Sequence, residues 1–206
     1  MKVPPAILLH IPFYGPDEKA PDRCAETKEW LLANTERLAA AGIEVLTIPV
    51  RGDFDNYNAF QRVWWEPKTL LHLDHDCVPT FDMVLKLSRC AYGACTQVYR
   101  WAQPYGEGHS AIFDRPVFED DGASGISYLS VDSSRGPVVP EWCDRTGFGL
   151  IKLDFQTRIR HPLPAGTPSW VGFDSLYCGN MKMREPLAKW HVHRADGEDP
   201  FMRHNH

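Results

Sequence analysis

A chain of 206 residues and 23.5 kDa is long enough to bury a core of its own, and its 43% apolar and 24% charged residues exclude a disordered chain or a coiled coil. With 22 basic against 27 acidic residues the net charge is −5 and the pI about 6.0, which argues against a partner held through its phosphate backbone, so no nucleic acid is expected as a ligand. No apolar run approaches the roughly 18 to 20 residues of a membrane span, and the apolar stretch near the N-terminus is too short for a signal peptide, so a single cytoplasmic domain over residues 1–206 is expected.

Ala6-Ile7-Leu8-Leu9-His10-Ile11, ended by Pro12 and Gly15, reads as a strand buried on both faces of an α/β sheet. Between Asp22 and Ala41 the apolar residues Ala25, Leu31, Leu32, Leu38 and Ala39 recur at helical spacing, with Asp22 as the cap and Gly42 as the terminator. Ile43 to Val50 is a second strand, so the chain opens β-α-β, a right-handed crossover that makes the sheet parallel. A helix from about Tyr57 to Trp65 follows, then a strand Thr69 to Leu73 that stops at Asp74-His75-Asp76, a helix Phe81 to Cys90 and a strand Thr96 to Trp101. From Ala102 to about Glu141 Pro, Gly, Asp and Ser are dense, and so long a loop in a compact domain is expected to be a flexible, functional one. Gly147 to Leu153 is a short strand, and a helix near Asp174 to Met183 and a strand near Lys189 to His193 close the fold, leaving Arg203-His204-Asn205-His206 as a solvated tail. The cysteines Cys24, Cys77, Cys90, Cys95, Cys143 and Cys178 are scattered with no CxxC pair, so reduced, buried thiols are expected and zinc through Cys90 and Cys95 has little behind it.

Asp74 and Asp76 stand directly after a buried strand, at the carboxyl end where open α/β sheets place their ligands. Two close carboxylates suit Mg²⁺ or Mn²⁺ with a diphosphate supplying further oxygens, although the same pair also makes an ordinary acidic turn. His191 and His193, two apart in a strand, share a face and either complete a metal site or line an exposed strand face. Trp142 and Phe148 offer aromatic surface for a sugar ring, or core packing.

Asn56-Tyr57-Asn58-Ala59-Phe60-Gln61-Arg62, Thr69 to Pro79 with its Asp74-His75-Asp76, and Ala94 to Arg100 together resemble the core of nucleotide-sugar glycosyltransferases of the GT-A fold, in a family 2-like form. Thr146-Gly147-Phe148-Gly149-Leu150-Ile151-Lys152 resembles their acceptor-side strand, and Gly172-Phe173-Asp174-Ser175-Leu176-Tyr177-Cys178 their base-bearing turn and helix. The resemblance spans most of residues 6 to 194, except about 102 to 140. It implies a three-layer α/β/α sandwich around a Rossmann-like, mixed and mainly parallel sheet, and a metal-dependent transfer of sugar from a nucleoside-diphosphate sugar to an acceptor. Asp76 would be the direct Mn²⁺ or Mg²⁺ ligand, Asp74 would lie nearer the ribose or sugar, and a late histidine, His193 or His191, would complete the metal site. The base and ribose pocket would come from Pro12-Phe13-Tyr14, Arg51-Gly52-Asp53 and one of Asn56, Asn58 or Arg62, with Gly147, Phe148 and Trp142 on the acceptor side. Asp174 would be the base of an inverting transfer, or else a helix cap; the family usually has Glu-Asp where this chain has Phe173-Asp174. A nucleotidyltransferase of related fold is the alternative enzyme, but Ile11-Pro12-Phe13-Tyr14-Gly15-Pro16 lacks its glycine-rich loop. A non-catalytic protein that binds sugar nucleotides or carbohydrate is the alternative outside enzymes.

Overall fold

The computed structural model describes residues 6–14, 24–51, 53–101, 112–113, 141–143, 145–163, 173–194 and 202–204. The first half of the chain alternates β1 (Ile7–Tyr14), α1 (Ala25–Ala40), β2 (Ile43–Val50), α2 (Asp53–Trp64), β3 (Thr69–Leu73), β4 (Cys77–Val78) and α3 (Phe81–Ser88). It continues through β5 (Ala94–Gln97), β6 (Tyr99–Trp101), β7 (Ile112–Phe113), β8 (Trp142–Cys143), β9 (Arg145–Thr146) and β10 (Leu150–Leu153). The end of the chain supplies α4 (Phe155–Arg160), α5 (Phe173–Arg184), β11 (Trp190–His193) and β12 (Met202–His204).

Seven strands form one sheet in the order β2-β1-β3-β10-β5-β11-β8. β1 runs parallel to β2 and β3, and β11 parallel to β5, whereas β10 is antiparallel to both of its neighbours and β8 antiparallel to β11. The sheet is therefore mixed, with β1, β2, β3, β5 and β11 pointing one way and β8 and β10 the other, and both faces are covered. Leu9, Ile11, Leu71 and Leu73 pack with Leu38 of α1 and Val84 and Leu87 of α3, while Leu8 and Leu70 pack on the other side with Phe60 and Trp64 of α2 and Tyr177 and Met181 of α5. Burial on both faces is why β1 and β3 are continuous apolar runs rather than alternating ones.

β2 and β3 occupy the expected residues, and Gly42, at φ +75, ends the turn after α1 in the left-handed region that favours glycine. α1 starts at Ala25 with Cys24 at its cap position and no side-chain cap bond, and the expected cap Asp22 lies outside the described residues. α2 begins at Asp53, four residues before the expected start at Tyr57. The expected strand Thr96 to Trp101 is divided: β5 stays in the main sheet, and β6 joins β4 and β12 in a separate three-stranded sheet. Of the expected solvated tail, Arg203 and His204 belong to β12, the middle strand of that small sheet, with the Arg203 side chain exposed, while Asn205 and His206 lie outside the described residues. Of the expected flexible stretch, Ile112–Phe113 pairs with β9, and most of the rest lies outside the described residues.

α4 was not expected, and it carries a buried arginine. Arg158 is wholly enclosed, and its guanidinium donates to the carbonyls of Val63, Trp64, Glu66 and Lys68, the open end of α2 and the turn that leads into β3. Burial lowers its pKa to about 10, so it stays charged at neutral pH. Among the described residues no helix is long and apolar enough to cross a membrane.

Candidate functional site

Because β10 is antiparallel to both β3 and β5, the strands β1, β2, β3, β5 and β11 all point the same way. Their last residues, Tyr14, Val50, Leu73, Gln97 and His193, therefore share the carboxyl edge of the sheet. Asp74, His75 and Asp76 form the turn just beyond β3 at this edge. The turn is pinned by the Asp74 amide donating to Gly149 O at 2.8 Å, the His75 amide donating to Asp74 Oδ1 at 3.0 Å and the Cys77 amide donating to Asp74 O at 3.2 Å. Gly149 is needed for this approach, since a Cβ there would stand 2.7 Å from the Tyr99 ring and 3.2 Å from Cys77 Sγ.

Asp74 Oδ1 and His75 Nδ1 are hydrogen-bonded at 2.9 Å, and His75 Nε2 lies 3.7 Å from Asp76 Oδ2. One ligand atom from each of the three residues falls within 4.8 Å of the others. Asp76 is buried, whereas the Asp74 side chain keeps 32% of its surface open. Burial pushes the Asp74 carboxyl up, but the hydrogen bond and charge of His75, helped by His72, outweigh it and hold the group below the usual carboxylate range. Asp74 is thus ionised at neutral pH.

Behind the turn, His10 and His72 face each other across β1 and β3 with their Nδ1 atoms 3.1 Å apart, and the Phe60 ring stands edge-on to both. Both rings are enclosed, and burial lowers their pKa values to about 3 and about 4, each also depressed by a neighbouring imidazole. They form a neutral pair in which one Nδ1–H donates to the other Nδ1.

Tyr14, Arg51 and Asp53 lie at the same edge as Asp74, at the end of β1, just after β2 and at the start of α2. The exposed Arg51 donates its amide to Asp55 Oδ2 at 3.2 Å, joining the end of β2 to the first turn of α2. Asn56 is only 6% exposed, and its Oδ1 has no hydrogen-bond partner among the described residues. It sits one turn before Phe60, on the helix face turned towards His10 and His72. Asn58 is half-buried; Arg62 is exposed nine residues beyond Asp53, about 13 Å along α2 towards the opposite edge, away from Asp74. Asp174 is half-buried in the first turn of α5. Glu185, just past the other end of α5, lines a groove with Ala94 and Lys189 at the amino ends of β5 and β11, so the first turn of α5, which carries Asp174, lies on the side of the carboxyl edge.

Two aromatic candidates are placed elsewhere. Phe148 is a core residue, 5.8 Å from each of the Phe60, Tyr177 and Trp190 ring centres, and its neighbour Gly147 is buried as well. Trp142 lines the groove at the amino edge, packed against Tyr92 and His191 at 4.7 and 5.0 Å, remote from the turn after β3.

His191 and His193 are also placed apart from Asp76. β10 and β5 stand between β3 and β11, three strand spacings or about 14 Å. The two histidines meet Cys90 and Cys95 instead, in a second cluster whose ligand atoms all lie within 4.8 Å of one another. The histidine whose backbone the fold brings beside the Asp76 turn is His204, opposite Cys77 in the β12–β4 pair. In the sequence its only signal is the apolar Phe201-Met202 inside an otherwise polar tail.

No family model matches the sequence, and no curated protein matches it either. The chemistry therefore rests on the site itself. Hard oxygen donors at a strand end, one of them ionised and open to solvent, suit a hard divalent cation that shares its remaining positions with phosphate oxygens and water.

Proposed function

We propose that the protein is a glycosyltransferase that moves a sugar from a nucleoside-diphosphate sugar to an acceptor hydroxyl at the carboxyl edge of the sheet. The observation that carries this reading is the convergence of Asp74 and Asp76 beyond β3, on the edge where the chain also presents Tyr14, Arg51 and Asp53. The oxygen-rich donor set fits Mn²⁺ or Mg²⁺, with Asp76 and Asp74 as ligands. When bound, such an ion offsets the charge of the departing diphosphate.

The protein's own residues do the rest. Tyr14, Arg51 and Asp53 border the base and ribose, and Asn56 Oδ1, a buried acceptor without a partner among the described residues, takes a hydrogen bond from the nucleotide. Asp174 accepts the proton of the acceptor hydroxyl as that oxygen bonds to the sugar C1 from the face opposite the phosphate. The bond from C1 to the phosphate oxygen breaks, the nucleoside diphosphate leaves, and the configuration at C1 is inverted.

Calorimetry of nucleoside diphosphates with the full chain tests the reading, with Mn²⁺ or Mg²⁺ added in one arm and omitted in the other. Binding that requires the added ion in the parent and is lost in Asp76→Asn is the expected result. Equal affinity with and without the ion removes the metal from the mechanism, and tight ion-dependent binding without transfer to any acceptor leaves a binding protein.

A further inference from the structure

We propose that Cys90, Cys95, His191 and His193 form a four-ligand zinc site that ties the last strand of the main sheet to the segment joining α3 and β5. It is separate from the Asp74–Asp76 turn and does not depend on the transferase reading.

The four side chains come from three places. Cys90 follows the end of α3, Cys95 is the second residue of β5, and His191 and His193 lie two apart on β11, where a period of two puts them on one face. β11 pairs with β5 so that His191 is opposite Cys95. Cys90 Sγ is 3.5 Å from His191 Nδ1, and His191 Nδ1 is 3.1 Å from His193 Nε2. Tetrahedral zinc with its usual bond lengths needs about 3.6 Å between a sulfur and a nitrogen ligand and about 3.3 Å between two nitrogens. The two sulfurs, 2.7 Å apart, are closer than the roughly 3.8 Å of two zinc thiolates, so a bound ion moves them apart by about 1 Å. Cys90 lies outside the regular elements and is half-buried, which leaves it room for that shift.

The surroundings suit such an ion. Lys152 on β10 is buried, lies directly opposite Cys95 and donates from Nζ to Cys90 O at 2.8 Å and Tyr92 O at 2.5 Å. It fixes the segment that carries Cys90 and places a positive charge beside two sulfur ligands. The Tyr92 and Trp142 rings flank His191 at 4.5 and 5.0 Å. Two thiolates and two imidazoles select zinc over Mg²⁺ or Mn²⁺, and four protein ligands leave no open position, which marks a structural rather than a catalytic ion. An ion here would link residues 101 apart, a cross-link that removes a large loop-closure entropy from the unfolded chain.

Metal analysis of the dialysed, tag-free full chain, together with cobalt substitution, tests the proposal. One zinc per chain is expected, and the cobalt form should show the visible bands of tetrahedral Co²⁺ and a near-ultraviolet thiolate-to-cobalt band. Cys90→Ser and His193→Ala should each lose zinc and change the cobalt spectrum, whereas Asp76→Asn should keep both. A zinc-free protein whose intact mass is lower by two hydrogen atoms and whose Cys90 and Cys95 resist alkylation until reduced has a disulfide instead, which overturns the proposal. So does full zinc retention in Cys90→Ser. If a variant fails to fold, the parent's cobalt spectrum decides alone: without the thiolate band the site does not exist.

Discussion

Asp74, His75 and Asp76 are consecutive, and one turn brings them together; Cys90, Cys95, His191 and His193 reach the same proximity from segments about a hundred residues apart. The first group is set by β3, the hydrogen bonds of its turn and one distant carbonyl, that of Gly149, and it stays partly open to solvent. The second exists only when β11 has paired with β5, so its geometry is the fold's geometry. Their donors differ accordingly. Carboxylate oxygens at an accessible strand end suit a hard ion that exchanges its other ligands, and a set of two sulfurs and two imidazoles that fills all four positions suits one that is kept. Under the two proposals, chemistry thus lies at the contiguous group and stability at the dispersed one.

The sharpest way to break that division is at the carboxyl edge. Asp174→Asn should lower sugar transfer by about 10²- to 10⁴-fold while nucleotide affinity and zinc content stay at parent values, because Asn keeps the shape and loses the base. Steady-state transfer and calorimetry on the same preparation measure it, and a near-parent rate removes Asp174 as the base.

A smaller effect is expected from Arg158→Ala. Carbonyls of Val63, Trp64, Glu66 and Lys68 lose their donor, at a cost of about 3 kcal/mol. Urea unfolding should show the loss. Zinc should also leave faster, since its ligands depend on the assembled sheet, while ion-dependent nucleotide affinity per folded molecule should hold. Both clusters weakening in parallel would erase the distinction.

Gly149→Ala should act in the opposite direction. Its Cβ would press on the Tyr99 ring and Cys77, costing about 1 to 3 kcal/mol and shifting the carbonyl that holds the Asp74 amide. Calorimetry is expected to show weaker Mn²⁺-dependent nucleotide binding, with zinc content unchanged.

A last test concerns acid. The folded His10 and His72 resist protonation until about pH 3 and about pH 4, whereas the same imidazoles in the unfolded chain take up protons near pH 6.5. The unfolded state therefore binds more protons between those limits, and stability should fall as pH drops from about 6.5 towards 4, by up to about 1.4 kcal/mol per group per pH unit. Denaturant titrations of the parent and a His10→Leu/His72→Leu double variant at equal zinc content compare the slopes. An unchanged slope in the double variant shows that the acid sensitivity comes from elsewhere.

The elements legible in the sequence are those whose signal is local and long enough. Continuous apolar runs mark β1 and β3, the β-branched stretch Ile43 to Val50 marks β2, helical spacing marks α1, and two acids one residue apart after a buried strand mark the turn at Asp74. The short elements β4, β8, β9 and β12 are two or three residues each, too short to carry a period, and they exist because a distant partner pairs with them. Arg158 reads as a surface residue, since only the assembled end of α2 supplies the carbonyls that make its burial tolerable.

By itself, then, the sequence determined the longer strands and helices, that the early sheet is parallel, and that Asp74 and Asp76 stand at a strand end. Tertiary structure decided which side chains meet. A period of two places His191 and His193 on one face but does not say which strand lies alongside, and the insertion of reversed β10 between β3 and β5 moves β11 away from Asp76 and leaves it beside Cys95. Strand order is chosen by the burial of whole faces against α1, α3, α2 and α5, a sum over residues far apart in the chain that no local stretch of sequence contains.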